Sequence, residues 1–185
     1  MTDLPAEPSK PGLLPEDDYA RITRYAPLPA IDIVLHRSAQ VLLGRRRNRP
    51  AAGWWFMPGG RVRKAERLAD AFARICLDEM GLVASIRDAR FLGIVEHFYP
   101  ENAWDDRWGT HCMALVYALA APDGASTPDL VQHQATGWWS VDDWSASPTV
   151  HAYTKETLAL AYQAGLLLPR SGNFPDTPAG GSCDY

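Results

Sequence analysis

The segment GGRVRKAERLADAFARICLDEMGL, residues 59–82, decides the fold of this chain. It opens with a Gly-Gly turn, and residues 68–80 are mostly strong helix formers followed by a glycine that suits a helix C-cap. At about 100° per residue, Ile75, Asp78 and Glu79 share one helical face. Adjacent carboxylates repel unless a cation lies over them, and Mg²⁺ prefers oxygen ligands. The segment therefore predicts a cation site in which Ile75 replaces a third carboxylate.

The same pattern also fits an ordinary surface helix with a solvated Asp-Glu tip. Arg74 lies four residues before Asp78 and could bridge it or reach an anionic substrate. Backbone at Gly59 and Gly60 can approach a ligand closely, because no Cβ intervenes. Periodicity alone leaves both interpretations open.

Length and composition predict one domain with a sizeable core. The chain has 185 residues, of which 46% are hydrophobic, and a net charge of −4 with a pI near 5.7. This balance argues against a general nucleic-acid or membrane-surface binder. Three widely spaced cysteines form no CxxC pair, which favours a reduced, cytoplasmic setting, and neither a signal peptide nor a membrane span is expected.

The order of apolar runs predicts an α/β or α+β sandwich. Residues 1–13 and 169–185 are polar and rich in Pro and Gly and are expected to be flexible, which leaves a globular domain at residues 14–168. Helices are predicted at residues 14–25, 68–80 and 154–166, the last with a cap at Thr154. Strands are predicted at residues 30–36, 40–43, 54–57, 91–99, 111–120 and 136–141.

The spacing of the first segment resembles the Nudix box. Five residues separate Gly60 from Glu66, and seven separate Glu66 from Arg74, as that box requires. The segment then ends with the acidic pair Asp78-Glu79 and with Gly81-Leu82. The departures are Ile75 and Asp78, where the box has Glu. This resemblance implies a Nudix-type α/β/α sandwich with a central mixed sheet and the box as loop–helix–loop.

Much of the remaining chain resembles one Nudix branch, the GDP-mannose mannosyl hydrolases. The matching motifs are NRPAAGWWFMPGGRV (48–62), EHFY (96–99), TH (110–111), QH (132–133) and VHA (150–152). That branch also lacks the carboxylate after the box arginine, as Ile75 does here. The resemblance implies Mg²⁺-dependent attack of water at the sugar anomeric carbon, with inversion, releasing nucleoside diphosphate and free sugar.

The same resemblance implies the metal ligands and the base. Mg²⁺, or alternatively Mn²⁺, would be held by the Gly59 carbonyl, Glu79 and Gln132, all oxygen donors. His133 matches the general base, and an imidazole titrates near neutral pH. A loop histidine can also be merely exposed, and that alternative stays open from the residues themselves.

Arginines and polar residues complete the implied site. Arg46 and Arg61 match leaving-group arginines, whose guanidinium groups suit diphosphate oxygens, although a neighbour within residues 45–47 is an alternative to Arg46. Arg74 is expected to orient Glu79. By the resemblance, Asp32 and His97 are expected to hold the sugar. Without the resemblance, Asp32 could instead be at an edge position that faces solvent.

Several points depart from the branch or remain without assigned chemistry. Cys112 stands where the branch has a tyrosine thought to help the leaving group, and a thiol is a weaker hydrogen-bond donor than a phenol. His111 and His151 are expected to be structural. Residues 100–109 are a candidate lid. A homodimer is expected by resemblance.

Three functions remain in competition at this point. The first is the nucleotide-sugar hydrolase that breaks the C–O bond. The second is a standard pyrophosphohydrolase that cleaves P–O–P, which Asp78 keeps open because it could recruit another metal. The third is a non-catalytic module that binds a nucleotide sugar.

Overall fold

A computed structural model describes residues 15–103, 107–122 and 133–167. Four α-helices are described, α1 (Glu16–Tyr25), α2 (Leu68–Met80), α3 (Val141–Ala146) and α4 (Ala152–Gln163), and a 3₁₀ helix spans Ile86–Asp88. The described strands are β1 (Leu28–Arg37), β2 (Gln40–Arg46), β3 (Trp55–Phe56), β4 (Gly59–Arg61), β5 (Arg90–Tyr99), β6 (Thr110–Ala120) and β7 (His133–Ser140). The flexible ends predicted at residues 1–13 and 169–185 lie outside these ranges.

The seven strands form one mixed sheet in the order β3-β2-β1-β6-β5, with β4 added to β1 and β7 added to β2. Strands β1 and β6 run parallel over nine paired positions, and the other pairs are antiparallel. This topology confirms the predicted central mixed sheet.

Side-chain alternation along the strands builds a core on each face of the sheet. In β1, Ile31, Ile33 and Leu35 pack beneath α2, whereas Val34 faces α4. The α4 core contains Trp144 and Leu158, each almost fully buried. Helices therefore cover both faces, and the predicted α/β/α sandwich is confirmed.

Most predicted elements are present, and the errors concern the ends of some elements and two short elements that were missed. Both β2 and β7 reach further toward the site than predicted, because the charged run after Leu43 continues a ladder in which Arg46 pairs with His133. The short strand β4 and helix α3 were not predicted. Ser140 begins α3 with a reciprocal capping box to Asp143.

The cap predicted at Thr154 is wrong, because α4 begins two residues earlier. The N-cap is His151, whose ring nitrogen accepts a hydrogen bond from the Tyr153 backbone N–H at 3.2 Å. Thr154 is fully buried and instead donates to the Trp55 carbonyl, which ties α4 to β3. The two histidines left without chemistry have structural contacts, since His111 stacks on Phe98.

Candidate functional site

One cleft of about 680 Å³ opens where β1, β2 and β4 meet α2. It is lined by eight of the nine predicted site residues, namely Asp32, Arg46, Gly59, Arg61, Arg74, Glu79, His97 and His133. The ninth, Gln132, lies outside the described residues. Strands from opposite ends of the chain therefore bring the predicted set together.

Gly59 lies where the chain has room only for a glycine. A Cβ at this position would come 2.6 Å from Asp32 Oδ1 and 2.8 Å from the Ile31 carbonyl. Gly59 is paired with Asp32 in the ladder between β4 and β1. On one side of this pair the Ile33 N–H donates to the Pro58 carbonyl, and further along on the other side the Val62 N–H donates to the Pro29 carbonyl. The alternation of an antiparallel ladder thus leaves the Gly59 carbonyl out of the bonds to β1. It is available to a ligand.

Helix α2 presents its three box positions to the cleft with very different exposure. It ends at Gly81, whose φ of 64° gives the left-handed cap predicted for it. Ile75 is 1% exposed and its side chain would be 3.2 Å from a Cβ at Gly60, so the missing-ligand position is part of the core. Glu79 is 5% exposed, whereas the Asp78 side chain is 50% exposed. Glu79 is the buried carboxylate of this helix.

Arg74 was predicted to orient Glu79. Its side chain instead forms hydrogen bonds with Glu66 and with the Arg61 carbonyl. Its Nε and one terminal nitrogen donate to the two Glu66 carboxylate oxygens at 2.6 and 2.8 Å. The same terminal nitrogen donates to the Arg61 carbonyl at 2.9 Å, and Asp78 lies 3.8 Å from the other. These bonds keep the pKa of Glu66 below its usual value. Arg74 therefore fixes the turn that carries Arg61, a role that sequence spacing did not reveal.

Glu79 and His133 meet in the cleft, with Glu79 Oε2 3.8 Å from His133 Nδ1. Burial raises the pKa of Glu79 to about 7, and burial with the positive charge of Arg46 and Arg47 lowers the pKa of His133 to about 4. His133 is 7% exposed, which makes the exposed-loop interpretation wrong. The imidazole is neutral at pH 7 and can accept a proton.

The His133 ring packs against β2 at Gly44, because this residue has no side chain. A Cβ at Gly44 would come 2.2 Å from His133 Cδ2 and 2.7 Å from Nε2. Nothing in the local sequence around Gly44 indicated this contact, since the two positions are separated by most of the domain. The glycine determines where the imidazole can lie.

A divalent cation fits these residues. Glu79 is a buried carboxylate whose charge is disfavoured by burial, and the Gly59 carbonyl is at a position of the β1–β4 ladder that forms no hydrogen bond between the strands. In the described parts of the chain, no group of three or more His, Cys, Asp or Glu side chains could hold a metal. The donor set matches a site of few protein oxygens, which suits Mg²⁺ because that ion keeps waters and substrate oxygens.

The three consecutive arginines at the end of β2 have separate partners. Arg45 Nε donates to the Gly53 carbonyl at 2.9 Å, and Arg47 Nε donates to the His133 carbonyl at 2.7 Å. Arg46 lies in the cleft over the Phe56 ring, and its buried Nε has no hydrogen-bond partner among the described residues. Arg46 is thus the member of the trio with buried donor capacity left for an anion.

Arg61 lies on the opposite wall of the cleft, 3.8 Å above the centre of the Tyr19 ring. Tyr19 comes from α1, and burial raises the pKa of its hydroxyl. The stacked ring holds the guanidinium plane while leaving its edges for hydrogen bonds. Arg46 and Arg61 therefore face the same space from two walls.

The part of the cleft around Asp32, His97 and Cys112 is polar. Asp32 is on the central strand β1, so the edge-position interpretation is wrong, and burial raises its pKa to about 6. His97 is 4% exposed, stacks on Tyr153 at 4.5 Å, and has a pKa lowered to about 4. Cys112 lies beside them with a thiol pKa raised to about 11. Such a pocket suits hydroxyl groups.

Tyr99 is a further cleft residue that the sequence analysis missed. Its hydroxyl lies 3.5 Å from His97 Nδ1, and its ring lies edge-on to Tyr153. The motif EHFY contains it, and its position two residues after His97 puts both side chains on the same face of β5. This spacing was the available signal.

The NUDIX domain family profile matches residues 26–161. The chain belongs to the Nudix family. It is 36% identical over 124 residues to the low-salt glycan biosynthesis protein Agl8 of Haloferax volcanii, covering 66% of this chain and 78% of that protein. It is 31% identical over 93 residues to an ADP-ribose pyrophosphatase of Methanocaldococcus jannaschii, covering half of each.

Solved structures agree with this assignment. A MutT Nudix hydrolase from Burkholderia pseudomallei matches with a TM-score of 0.59 and 29% identity, covering 72% of this chain and 97% of that one. The Nudix domain of Shewanella oneidensis NrtR, solved with ADP ribose, has the same fold at a TM-score of 0.58 and 22% identity, covering 82% and 99%. The chain is a Nudix hydrolase. None of the described helices is long and apolar enough to cross a membrane.

Proposed function

We propose that this Nudix hydrolase cleaves a nucleotide sugar of the GDP-mannose type at the sugar anomeric carbon, with inversion. The observation that carries the proposal is the contrast within α2, where Glu79 is buried in the cleft while Ile75 is packed in the core beneath Gly60. A helix with one buried carboxylate supports one ion near a leaving group, whereas attack at phosphorus in this family uses a cluster. The Agl8 relative, named for glycan biosynthesis, supports a glycan precursor as substrate.

The residues divide the work of leaving-group binding. Glu79, the Gly59 carbonyl and Gln132 would hold Mg²⁺, which when bound neutralises charge on the departing diphosphate. Arg46 and Arg61 bind diphosphate oxygens from two sides of the cleft, because a guanidinium group can form bidentate hydrogen bonds with them.

His133 acts as the base for the attacking water. It takes one water proton while the water oxygen bonds to the anomeric carbon, and the electron pair of the broken C–O bond goes to the diphosphate oxygen. The neutral state that burial imposes on the imidazole is the state this step needs. Asp32 and His97 hold the sugar hydroxyl groups in the cleft.

Products formed in ¹⁸O-labelled water test the proposal directly. The protein is incubated with GDP-mannose and Mg²⁺, and the products are analysed by mass spectrometry. Label in the sugar and none in phosphate is the expected result. Label in phosphate, with mannose 1-phosphate and GMP as products, contradicts it.

The second candidate is a standard pyrophosphohydrolase, and one observation favours it. Asp78 lines the same cleft with a half-exposed carboxylate that could recruit another cation. The similarity to the ADP-ribose pyrophosphatase supports the same chemistry. Phosphate labelling decides for this candidate, and micromolar binding without turnover decides for a non-catalytic module. The homodimer and the cytoplasmic location stay predictions.

A further inference from the structure

Glu101 joins the segment after β5 to the segment between β2 and β3. Its Oε2 accepts a hydrogen bond from Arg49 Nε at 3.0 Å, and its Oε1 accepts one from the Ala51 backbone N–H. Its own carbonyl accepts from Thr110 Oγ1 at 3.0 Å, which fixes Glu101 to the start of β6. Bonding to Ala51 and Arg49 keeps the pKa of Glu101 below its usual value, so the carboxylate is charged at neutral pH.

The segment that Glu101 holds is residues 47–54 between β2 and β3, here termed the arginine loop. Arg46 closes its base on both sides, since its backbone N–H donates to the Trp54 carbonyl and its carbonyl accepts from the Gly53 N–H, both at 2.9 Å. The conformation of the loop therefore determines the backbone from which the Arg46 guanidinium enters the cleft.

The arginine loop also holds the predicted base. Arg47 Nε donates to the His133 carbonyl at 2.7 Å, so the loop contacts the strand that carries the imidazole. One loop thus positions both an anion-binding arginine and the group that takes the water proton. A displacement of the loop moves both.

The loop needs an external anchor because its backbone is locally unfavourable. Ala51 has a φ of 61°, which lies in the left-handed region. A residue with a Cβ adopts that region only when surrounding contacts hold it. The bond from Ala51 N–H to Glu101 lies at this residue.

We propose that Glu101 is a positioning residue that acts on diphosphate binding through the arginine loop, by holding Arg46 in the cleft. This inference rests on the proposed function, because it assumes that Arg46 binds a diphosphate. Glu101 itself does not touch the reacting atoms. Its carboxylate binds Arg49 and Ala51 of the arginine loop and does not bind the substrate.

A double-mutant cycle on affinity tests this coupling. GDP binding, with inorganic pyrophosphate as a probe lacking the base, is measured by titration calorimetry in Mg²⁺ for Glu101→Ala, Arg46→Ala and the double variant. We expect Glu101→Ala to weaken binding about ten-fold in the wild-type background and to cause no further loss in the Arg46→Ala background. Glu101→Gln keeps an acceptor for Ala51 N–H, and we expect about a three-fold loss.

The control is Glu156→Ala, an exposed glutamate on α4 away from the cleft, which should leave affinity unchanged. Thermal melts confirm that each variant is folded, and Glu101→Gln carries the test if Glu101→Ala is not. Equal losses in both backgrounds, or unchanged affinity, overturn the inference while the proposed function stands. Wild-type protein that binds neither probe overturns the proposed function and this inference with it.

Discussion

One wall of the cleft consists of β4 and helix α2, which lie within a single stretch of 24 residues, 59–82. The opposite wall combines the arginine loop with the start of β7, and Glu101 from a third part of the chain holds that loop. The first wall places Glu79 by helix periodicity and a glycine cap. The second places His133 by contact with Gly44 and a bond from Arg47, neither of which is local in sequence.

The two walls therefore position their functional side chains in different ways. A continuous segment carries its own register, so its functional positions follow from the period of the helix. A composite wall depends on packing between strands, so its functional positions depend on residues with no chemical role. Single substitutions on the two walls should therefore have different signatures.

The largest expected effect is at Glu79. Glu79→Gln should lower kcat about 10³-fold, because the buried ligand for a leaving-group cation is lost. In EDTA at pH 8 the variant should be at least as stable as wild type, because a carboxyl whose folded pKa is raised to about 7 lowers stability as pH rises from its unfolded pKa to that value, and the full cost is present at pH 8. Steady-state kinetics and thermal melts measure both.

The matched control is Asp78→Asn on the next residue, whose half-exposed side chain predicts less than a ten-fold loss. Equal losses at the two positions would mean that both carboxylates hold metal. That result would favour the pyrophosphohydrolase.

A carboxylate introduced at Ile75 should destabilise the wall formed by β4 and α2 and should not add a metal ligand. Ile75→Glu places a charge in a position that is 1% exposed, and we expect a loss of about 3 kcal/mol or more in the free energy of unfolding. Urea unfolding measures it, with Ile75→Leu as the volume-matched control at less than about 1.5 kcal/mol. Unchanged stability with new P–O cleavage would show that this position faces the cation.

On the composite wall, Gly44→Ala should act through a residue it does not replace. The new Cβ would overlap His133 Cδ2 at 2.2 Å, so the imidazole must move, and we expect a fall in kcat of about 10–100-fold with a loss of about 1–3 kcal/mol in stability. Gly137→Ala on β7 is the control, because its Cβ would meet Trp139 at an ordinary 3.6 Å. Wild-type kinetics for Gly44→Ala would show that His133 tolerates displacement.

The smallest expected effect concerns the ion pair between Arg74 and Glu66. Glu66→Gln should lower stability by about 1–3 kcal/mol at pH 7, because Arg74 loses its charged partner. The folded pKa of Glu66 is depressed, so its contribution is present above the unfolded pKa and disappears as pH falls through the folded value. Urea unfolding from pH 7 to pH 3 should show the gap between the two proteins closing. A gap independent of pH would assign the loss to packing.

Much of the fold was predictable from sequence, and the errors have a common cause. Helix α2 was predicted with its observed bounds because composition, face and C-cap agreed. The ends of β2 and β7 were missed because Arg46 and His133 lie in a ladder between strands that are far apart in sequence. The cap of α4 was misplaced because histidine is not a usual capping residue. Local patterns do not contain those contacts.

The sequence by itself determined the box, its helix and the absence of a carboxylate at Ile75, and its family resemblance supplied eight of the residues that line the cleft. The box and its helix follow from spacing within a short segment, where backbone geometry fixes which side chains share a face. Only the tertiary structure decided that Glu79 and Asp78 differ in burial, that Arg74 binds Glu66, and that Glu101 and Gly44 control the arginine loop and His133. Those facts depend on desolvation and on contacts between distant segments, which exist only after the sheet has formed.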